Sequence, residues 1–239
     1  MEIARFFYQL FKVDSSGNKL AFIGSAFTIA PNGGLLTCRH VVDIQLKDSE
    51  RIAVFDSEAG RLVTVSDIIF PFDSKIDLAF ITNAFQRSKP EFFPILTPSI
   101  LLIGEDVYSF GFFAIGGGSA EIEQGYFSGE IINFFKSEAN TNSFMLPFPI
   151  IEGMSGSPIL TYHNGPKVVG LAYGNRSSRI LASEVLEYKD THKEIKETVH
   201  RIIEFGVAYH CASIIRFLTE IGITGQVVSD SNVEIPNLE

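Results

Sequence analysis

The segment Gly153-Met-Ser-Gly-Ser-Pro158 is the strongest motif in the chain. A serine hydroxyl is a poor nucleophile unless a general base lies beside it and backbone N–H groups hold the oxyanion of the tetrahedral intermediate. Gly153 allows the backbone to turn so that two N–H groups point at one spot, and Gly156 leaves room behind the hydroxyl of Ser155. The same pattern also occurs in ordinary turns, so other motifs in the chain are needed to show whether Ser155 is catalytic or structural.

A second motif surrounds His40. The segment Gly24-Ser-Ala-Phe27 and a Gly-rich turn at residues 31–34 precede Thr37-Cys-Arg-His40-Val-Val42. This pattern predicts two strands that deliver a histidine at a strand end. Histidine is the side chain whose ordinary pKa suits proton transfer near neutral pH, although a lone histidine after an apolar strand is more often structural.

A third motif is Lys75-Ile-Asp77-Leu-Ala-Phe-Ile81, in which an acid begins an apolar strand. In isolation, such an acid is most simply a solubilising residue at a strand end. A carboxylate at this place can instead accept the Nδ1–H of a histidine, which fixes the tautomer of the ring and stabilises the imidazolium.

The order of the three motifs along the chain supports a common catalytic role. The chain runs His40, Asp77, Ser155, which is the chymotrypsin order, whereas subtilisins and α/β-hydrolases use other orders. The spacing leaves room for a first barrel to supply the base and the acid and for a second barrel to supply the nucleophile.

At these residues the sequence resembles the trypsin-like serine peptidases of the chymotrypsin superfamily, and it looks similar to the disulfide-poor bacterial branch that includes the HtrA/Deg proteases. The resemblance extends to Gly104–Phe112, Gly125–Ile132 and Gly170–Gly174. It implies an all-β fold of two six-stranded antiparallel β-barrels, at residues 1–98 and 99–222, with the active site between them. No PDZ-like module follows, and the polar tail at 223–239 is expected to be poorly ordered.

Two helices are predicted within the second barrel. Thr191 and Glu194 form a capping-box pattern, and the apolar residues that follow recur on one helical face, which predicts a helical insertion at about 183–204. A second apolar face from Ile214 to Ile221, stopped by Gly222, predicts a C-terminal helix.

The resemblance also implies the roles of the site residues in a serine endopeptidase. Ser155 attacks, His40 acts as base and then acid, Asp77 orients His40, and the N–H groups of Gly153 and Ser155 form the oxyanion hole. The substrate pocket draws on two segments on either side of the cleft: Pro149, Ile150, Ile151, Glu152, Tyr173, Gly174 and Asn175. Since no acid stands at the pocket base, we expect cleavage after a small-to-medium apolar residue rather than after Lys or Arg.

Composition limits the partners and the cellular compartment that the sequence predicts. The chain has 239 residues and a net charge of −9, and its lack of a basic stretch disfavours a nucleic-acid partner. Cys38 and Cys211 cannot form the disulfide framework of a secreted protease. Arg5 and Lys12 interrupt the N-terminal segment, which therefore does not resemble a signal peptide, and no run of eighteen apolar residues predicts a membrane span. We expect a cytoplasmic protein with no cofactor and no metal.

Alternatives to a freely active protease remain open at this stage. One is an enzyme that is latent until an activating protein orders its loops, with residues 116–119 and 183–204 as control points. Another is a catalytically quiet trypsin fold that serves as a binding module. A third is an α/β-hydrolase esterase, which requires Gly-x-Ser-x-Gly, whereas position 157 is Ser.

Overall fold

The computed structural model describes residues 6–30, 33–82, 92–115, 121–188, 194–223 and 227–228. The strands of its first sheet are β1 (Phe7–Asp14), β2 (Lys19–Thr28), β3 (Leu35–Thr37), β4 (Glu50–Asp56), β5 (Arg61–Thr64), β6 (Ile68–Ile69) and β7 (Ala79–Ile81). They pair antiparallel in the order β5-β4-β1-β2-β3-β7-β6. A single helical turn, α1 (Arg39–Val42), follows β3 and carries His40.

The second sheet contains the remaining strands. They are β8 (Ile95–Leu96), β9 (Asp106–Ile115), β10 (Glu121–Glu130), β11 (Asn133–Lys136), β12 (Asn142–Leu146), β13 (Pro158–Tyr162), β14 (Pro166–Tyr188), β15 (Glu194–His210) and β16 (Val227–Val228). Seven of them run antiparallel in the order β10-β9-β13-β14-β15-β12-β11, and β8 joins β14 and β16 through parallel pairs. The helix α2 (Cys211–Glu220) follows β15 directly.

The two curled sheets confirm the predicted all-β, chymotrypsin-like double barrel and exclude the α/β-hydrolase alternative, which needs a mostly parallel sheet covered by helices. The sheets have seven and nine strands rather than six each. The two-residue strands β6, β8 and β16 account for most of the difference.

A shared core joins the two sheets. Apolar side chains of the first sheet, such as Phe27 and Phe80, belong to the same buried cluster as Leu171 of β14 and Phe217 of α2. The predicted C-terminal helix is therefore confirmed, and it closes this core with its apolar face. No helix in the described part of the chain is long and apolar enough to cross a bilayer.

The helical insertion predicted at 183–204 is wrong. Strands β14 and β15 form one continuous antiparallel hairpin, in register from Gly170↔His210 to Tyr188↔Glu194. The sequence pattern misled because Ile195, Val199 and Ile203 are spaced by four residues, which suits a helical face but, being even, also suits one face of a strand. Such β-branched residues favour strands once a partner strand is present. Thr191, the predicted cap, lies outside the described residues.

Candidate active site

The structure brings His40 and Asp77 together at the ends of two paired strands. β3 and β7 are antiparallel neighbours, with Thr37 opposite Ala79, so the residues just beyond this pair meet. The His40 Nδ1 atom lies 2.6 Å from Oδ2 of Asp77, and the backbone N–H of His40 donates to Oδ1 at 2.8 Å. One carboxylate therefore fixes both the ring and the main chain of the histidine.

This geometry selects one tautomer of His40. An ionised carboxylate can only accept hydrogen bonds, so the ring nitrogen that faces Asp77 carries the hydrogen. The Nε2 atom is then left as the acceptor that a general base requires. The side chain of His40 is 50% exposed, which leaves this ring accessible from the cleft.

Asp77 is itself positioned by a residue of the second sheet. The hydroxyl of Tyr209 on β15 accepts the backbone N–H of Asp77 at 3.0 Å, and the Tyr209 ring stacks on that of Tyr173 with 4.3 Å between centroids. Burial raises the pKa of both tyrosines, so their hydroxyls stay protonated. A stacked tyrosine pair of the second sheet thus holds the backbone of Asp77.

The loop that carries Ser155 is attached to the first sheet through Ser25. The buried Ser25 donates its backbone N–H to the carbonyl of Ser155 at 2.9 Å and its hydroxyl to the carbonyl of Gly153 at 2.8 Å. Gly24 lies between Val41, the neighbour of His40, and the Ser155 carbonyl, since a Cβ atom at Gly24 would be 2.8 Å and 3.2 Å from them. Gly24 and Ser25 of β2 therefore lie between the serine loop and the turn that carries His40.

The serine loop depends on two glycines in the left-handed region of φ. Gly153 has φ +95° and Gly156 has φ +89°. A Cβ atom at Gly156 would overlap the carbonyl oxygen of Ser25 and lie 2.5 Å from the Thr37 hydroxyl, which already donates to that carbonyl at 2.7 Å. The loop packs so closely on β2 and β3 that only glycine fits.

The hydrogen bonds of this loop leave two N–H groups available. The N–H of Met154 donates to the carbonyl of Ile151 and that of Gly156 to the carbonyl of Ala172, both at 2.9 Å. Within the described residues, the N–H groups of Gly153 and Ser155 have no acceptor. These are the two groups expected to form the oxyanion hole, and an oxyanion would satisfy them.

The predicted substrate pocket residues lie on two segments that Asn175 holds together. The Asn175 side-chain amide accepts the N–H of Ile150 at 2.6 Å and donates to its carbonyl at 2.8 Å. Ile150 is buried, whereas Glu152 is exposed. Residues 149–152 and 173–175 are therefore held together through Ile150 and Asn175.

Cys38 lies beneath the histidine and is poorly suited to bind metal. Its sulfur, a ring nitrogen of His40 and a carboxylate oxygen of Asp77 lie within 4.8 Å of one another. However, burial and the nearby Asp77 charge raise the pKa of the thiol well above its ordinary value, and the thiol donates to the carbonyl of Ala172. Since the thiol is buried and already donates to a backbone carbonyl, we interpret Cys38 as a packing residue.

Sequence reasoning missed several residues that hold the site. Ser25 was visible only as part of the Gly24-Ser-Ala-Phe27 motif, and nothing near Tyr209 in the sequence pointed to Asp77. Asn175 was assigned to the pocket, but not as the residue that fixes its opposite wall. All three act through contacts between segments more than twenty residues apart.

Fold and site together define a trypsin-like peptidase. The sequence model of the trypsin-like peptidase domain family matches residues 24–171, more than half of the chain, so the chain belongs to this family. The predicted resemblance to trypsin-like peptidases is thereby confirmed. A search of curated proteins found no match.

Solved structures show the same fold. The Rv3671c protease in its inactive form has a TM-score of 0.55 at 16% identity, with 91% of this chain and 89% of that chain covered. The HtrA-type protease AlgW, in a variant crystallised with a decapeptide, has a TM-score of 0.60 at 15% identity, covering 94% and 67%. A serine-to-alanine variant of Rv3671c from M. tuberculosis H37Rv gives 0.56 at 15% identity, covering 92% and 89%.

Proposed function

We propose that this chain is a serine endopeptidase in which Ser155 forms an acyl-enzyme with its substrate. His40 takes the proton from the Ser155 hydroxyl through Nε2 and returns it to the leaving amine. Asp77 orients the ring and stabilises the imidazolium, and the N–H groups of Gly153 and Ser155 hold the oxyanion. Water then attacks the acyl-enzyme, and His40 takes a proton from this water and returns it to the oxygen of Ser155.

The observation that carries this proposal is the double hydrogen bond between His40 and Asp77. A solubilising acid at a strand end has no reason to bind both the ring and the backbone of one histidine, at 2.6 Å and 2.8 Å. The two N–H groups of the serine loop without an acceptor among the described residues add independent support. A catalytically quiet module would need neither arrangement.

For the substrate, we propose an extended polypeptide cut after a small-to-medium apolar residue. Asn175 contributes a neutral amide to the predicted pocket, and the hydrogen bonds of this amide are already used on the backbone of Ile150. A basic side chain in this pocket would have no carboxylate at its base to pair with, and burying it unpaired is costly.

We also propose that a partner protein regulates the site through the long hairpin of β14 and β15. β14 runs directly from the pocket residues Tyr173–Asn175 into this hairpin. At residues 180–181 and 202–203 the apolar side chains of the hairpin are exposed, with Leu181 at 53% and Ile202 at 58%. A two-stranded ribbon is marginally stable alone, so a protein that covers it would also order the pocket strand. His40 and Asp77 are already hydrogen-bonded without such a partner, but no hydrogen bond joins the hydroxyl of Ser155 to His40 in the described part of the chain.

The proposal is tested by incubating an unfolded, alkylated polypeptide with the purified chain and identifying new termini by mass spectrometry. Wild type is expected to cut after small-to-medium apolar residues, whereas Ser155→Ala loses activity by several orders of magnitude. Ser157→Ala, which removes a buried hydroxyl two residues away, is the matched control and keeps the activity. Equal cutting by wild type and Ser155→Ala would refute the proposed nucleophile, and a profile dominated by Arg or Lys would refute the proposed pocket.

A further inference from the structure

A cavity lies on the second sheet, outside the predicted active site. It has a volume of about 630 Å³ and lies where the first half of β9 meets the second half of β10 and the end of β13. Its walls include the rings of Tyr108, Tyr126 and Tyr162. Tyr126 and Tyr162 are 59% and 73% exposed, so both rings have faces open to a ligand in the cavity.

The strand register places the tyrosines on one face. Tyr108 lies opposite Ser128, and two residues away Phe110 lies opposite Tyr126. Residues two apart on a strand share a face, and the rings of Tyr108 and Tyr126 are stacked with centroids 5.9 Å apart. Leu160 of β13 lies opposite Tyr108 from the other side, so Tyr162 belongs to this face as well.

Two carboxylates stand directly opposite each other at the end of this tyrosine face. Asp106 of β9 is paired with Glu130 of β10, and both line the cavity. Like charges in this position destabilise a sheet. A third acid, Glu105, differs from them because its carboxylate accepts from Thr161 at 3.0 Å and lies 2.8 Å from Nε2 of His163.

Of the described residues that line the cavity, His163 is the one basic side chain, and it contacts Glu105 rather than Asp106 or Glu130. None of the twelve described residues that line it is a lysine or an arginine. A cation seated between Asp106 and Glu130 would relieve their repulsion. Aromatic faces attract weakly hydrated organic cations, whereas Mg²⁺ and Ca²⁺ seek cages of oxygen atoms. Three tyrosine rings beside two carboxylates therefore favour an organic cation.

We propose that this cavity binds an organic cation, a guanidinium or alkylated ammonium group, which packs on Tyr108, Tyr126 and Tyr162 and neutralises Asp106 and Glu130. The ligand would be either a basic side chain of a polypeptide or a free amine, since both present the same group. The cavity lies apart from the predicted active site, because its described lining includes none of the triad, oxyanion-hole or substrate-pocket residues.

The full chain can be titrated by calorimetry with tetramethylammonium and with Nα-acetyl-arginine methylamide at constant ionic strength. Tyrosine fluorescence is a second readout, because the chain has seven tyrosines and no tryptophan. We expect saturable 1:1 binding that Tyr126→Ala weakens by about two- to thirtyfold. Tyr126→Phe keeps the ring and is expected to keep the affinity to within about twofold.

The matched control for charge is Glu123→Gln, an exposed position on the same strand as Glu130 but outside the cavity. Glu130→Gln is expected to weaken both cations, and Glu123→Gln to leave them unchanged. Tighter binding of the arginine derivative indicates a polypeptide side chain, and tighter binding of tetramethylammonium indicates a free quaternary amine. Absence of saturable binding by either cation, or equal weakening by Glu130→Gln and Glu123→Gln, would overturn the proposal.

Discussion

Replacing Gly156 by alanine is the sharpest structural perturbation of the serine loop. Two costs arise. A non-glycine residue in the left-handed region costs about 1–2 kcal/mol. The added methyl group also overlaps the Ser25 carbonyl, and real Cβ atoms keep at least 3.0 Å from other atoms, so the loop or β2 must move by about an ångström. Overpacking of this kind costs about 1–3 kcal/mol.

The second cost can be isolated with a matched variant, Gly17→Ala. Gly17 has nearly the same φ as Gly156, +83° against +89°. A Cβ atom at Gly17 meets no atom within 4 Å, so this variant pays only for backbone conformation. We therefore expect a total loss of about 2–5 kcal/mol for Gly156→Ala and of about 1–2 kcal/mol for Gly17→Ala.

Urea unfolding gives the two free energies of unfolding, and the rate of labelling by a fluorophosphonate gives the reactivity of the serine. A displacement of about 1 Å costs about a hundredfold in rate when the reacting groups must be aligned. Gly156→Ala is therefore expected to label at least about a hundredfold more slowly, whereas Gly17→Ala labels like wild type. Equal stability and equal labelling of the two variants would refute the tight packing of the serine loop on β2.

Three further predictions concern residues around the site. Burial lowers the pKa of His210, whose Nδ1 caps α2, so the unfolded chain binds the proton more readily and stability falls as pH drops below the ordinary value of 6.5. His210→Asn keeps a cap but does not titrate, so its urea midpoint is expected to change less than that of wild type between pH 7.5 and 5.5. An unchanged pH dependence would contradict this prediction. Burial raises the pKa of the Cys38 thiol and raises that of Cys211 to about 12. Iodoacetamide is therefore expected to alkylate neither thiol until the chain is unfolded, as measured by intact mass. Rapid alkylation of the folded chain would contradict this prediction, because it would show that the thiols are accessible. Tyr209→Phe leaves the N–H of Asp77 without its acceptor and is expected to slow fluorophosphonate labelling by about tenfold; an unchanged rate would mean that this bond does not position the acid.

Much of the fold could be predicted because local patterns agreed with it. The two strands predicted before His40 are β2 and β3, which pair antiparallel and lead into the turn that carries the histidine. The helix α2 followed from its apolar face, but its start at Cys211 did not, because its cap is the histidine ring of His210 rather than a Ser, Thr, Asp or Asn side chain.

The hairpin of β14 and β15 could not be predicted because its stability depends on pairing between strands. A spacing of four residues fits both the helical period of 3.6 residues and the strand period of two, and only pairing with a partner strand selects the strand. For the same reason, the order and type of His40, Asp77 and Ser155 were readable from the sequence, whereas the bond from Tyr209 to Asp77 was not, since it joins residues 132 positions apart.

The central claim is that the chain assembles an activated nucleophile at Ser155. It is tested most directly by fluorophosphonate labelling of the folded protein, read by intact mass, on wild type, Ser155→Ala, Ser157→Ala and His40→Ala. We predict one adduct on wild type and on Ser157→Ala, and none on Ser155→Ala or His40→Ala. A folded wild type that stays unlabelled, or an adduct that persists on Ser155→Ala, would contradict the claim.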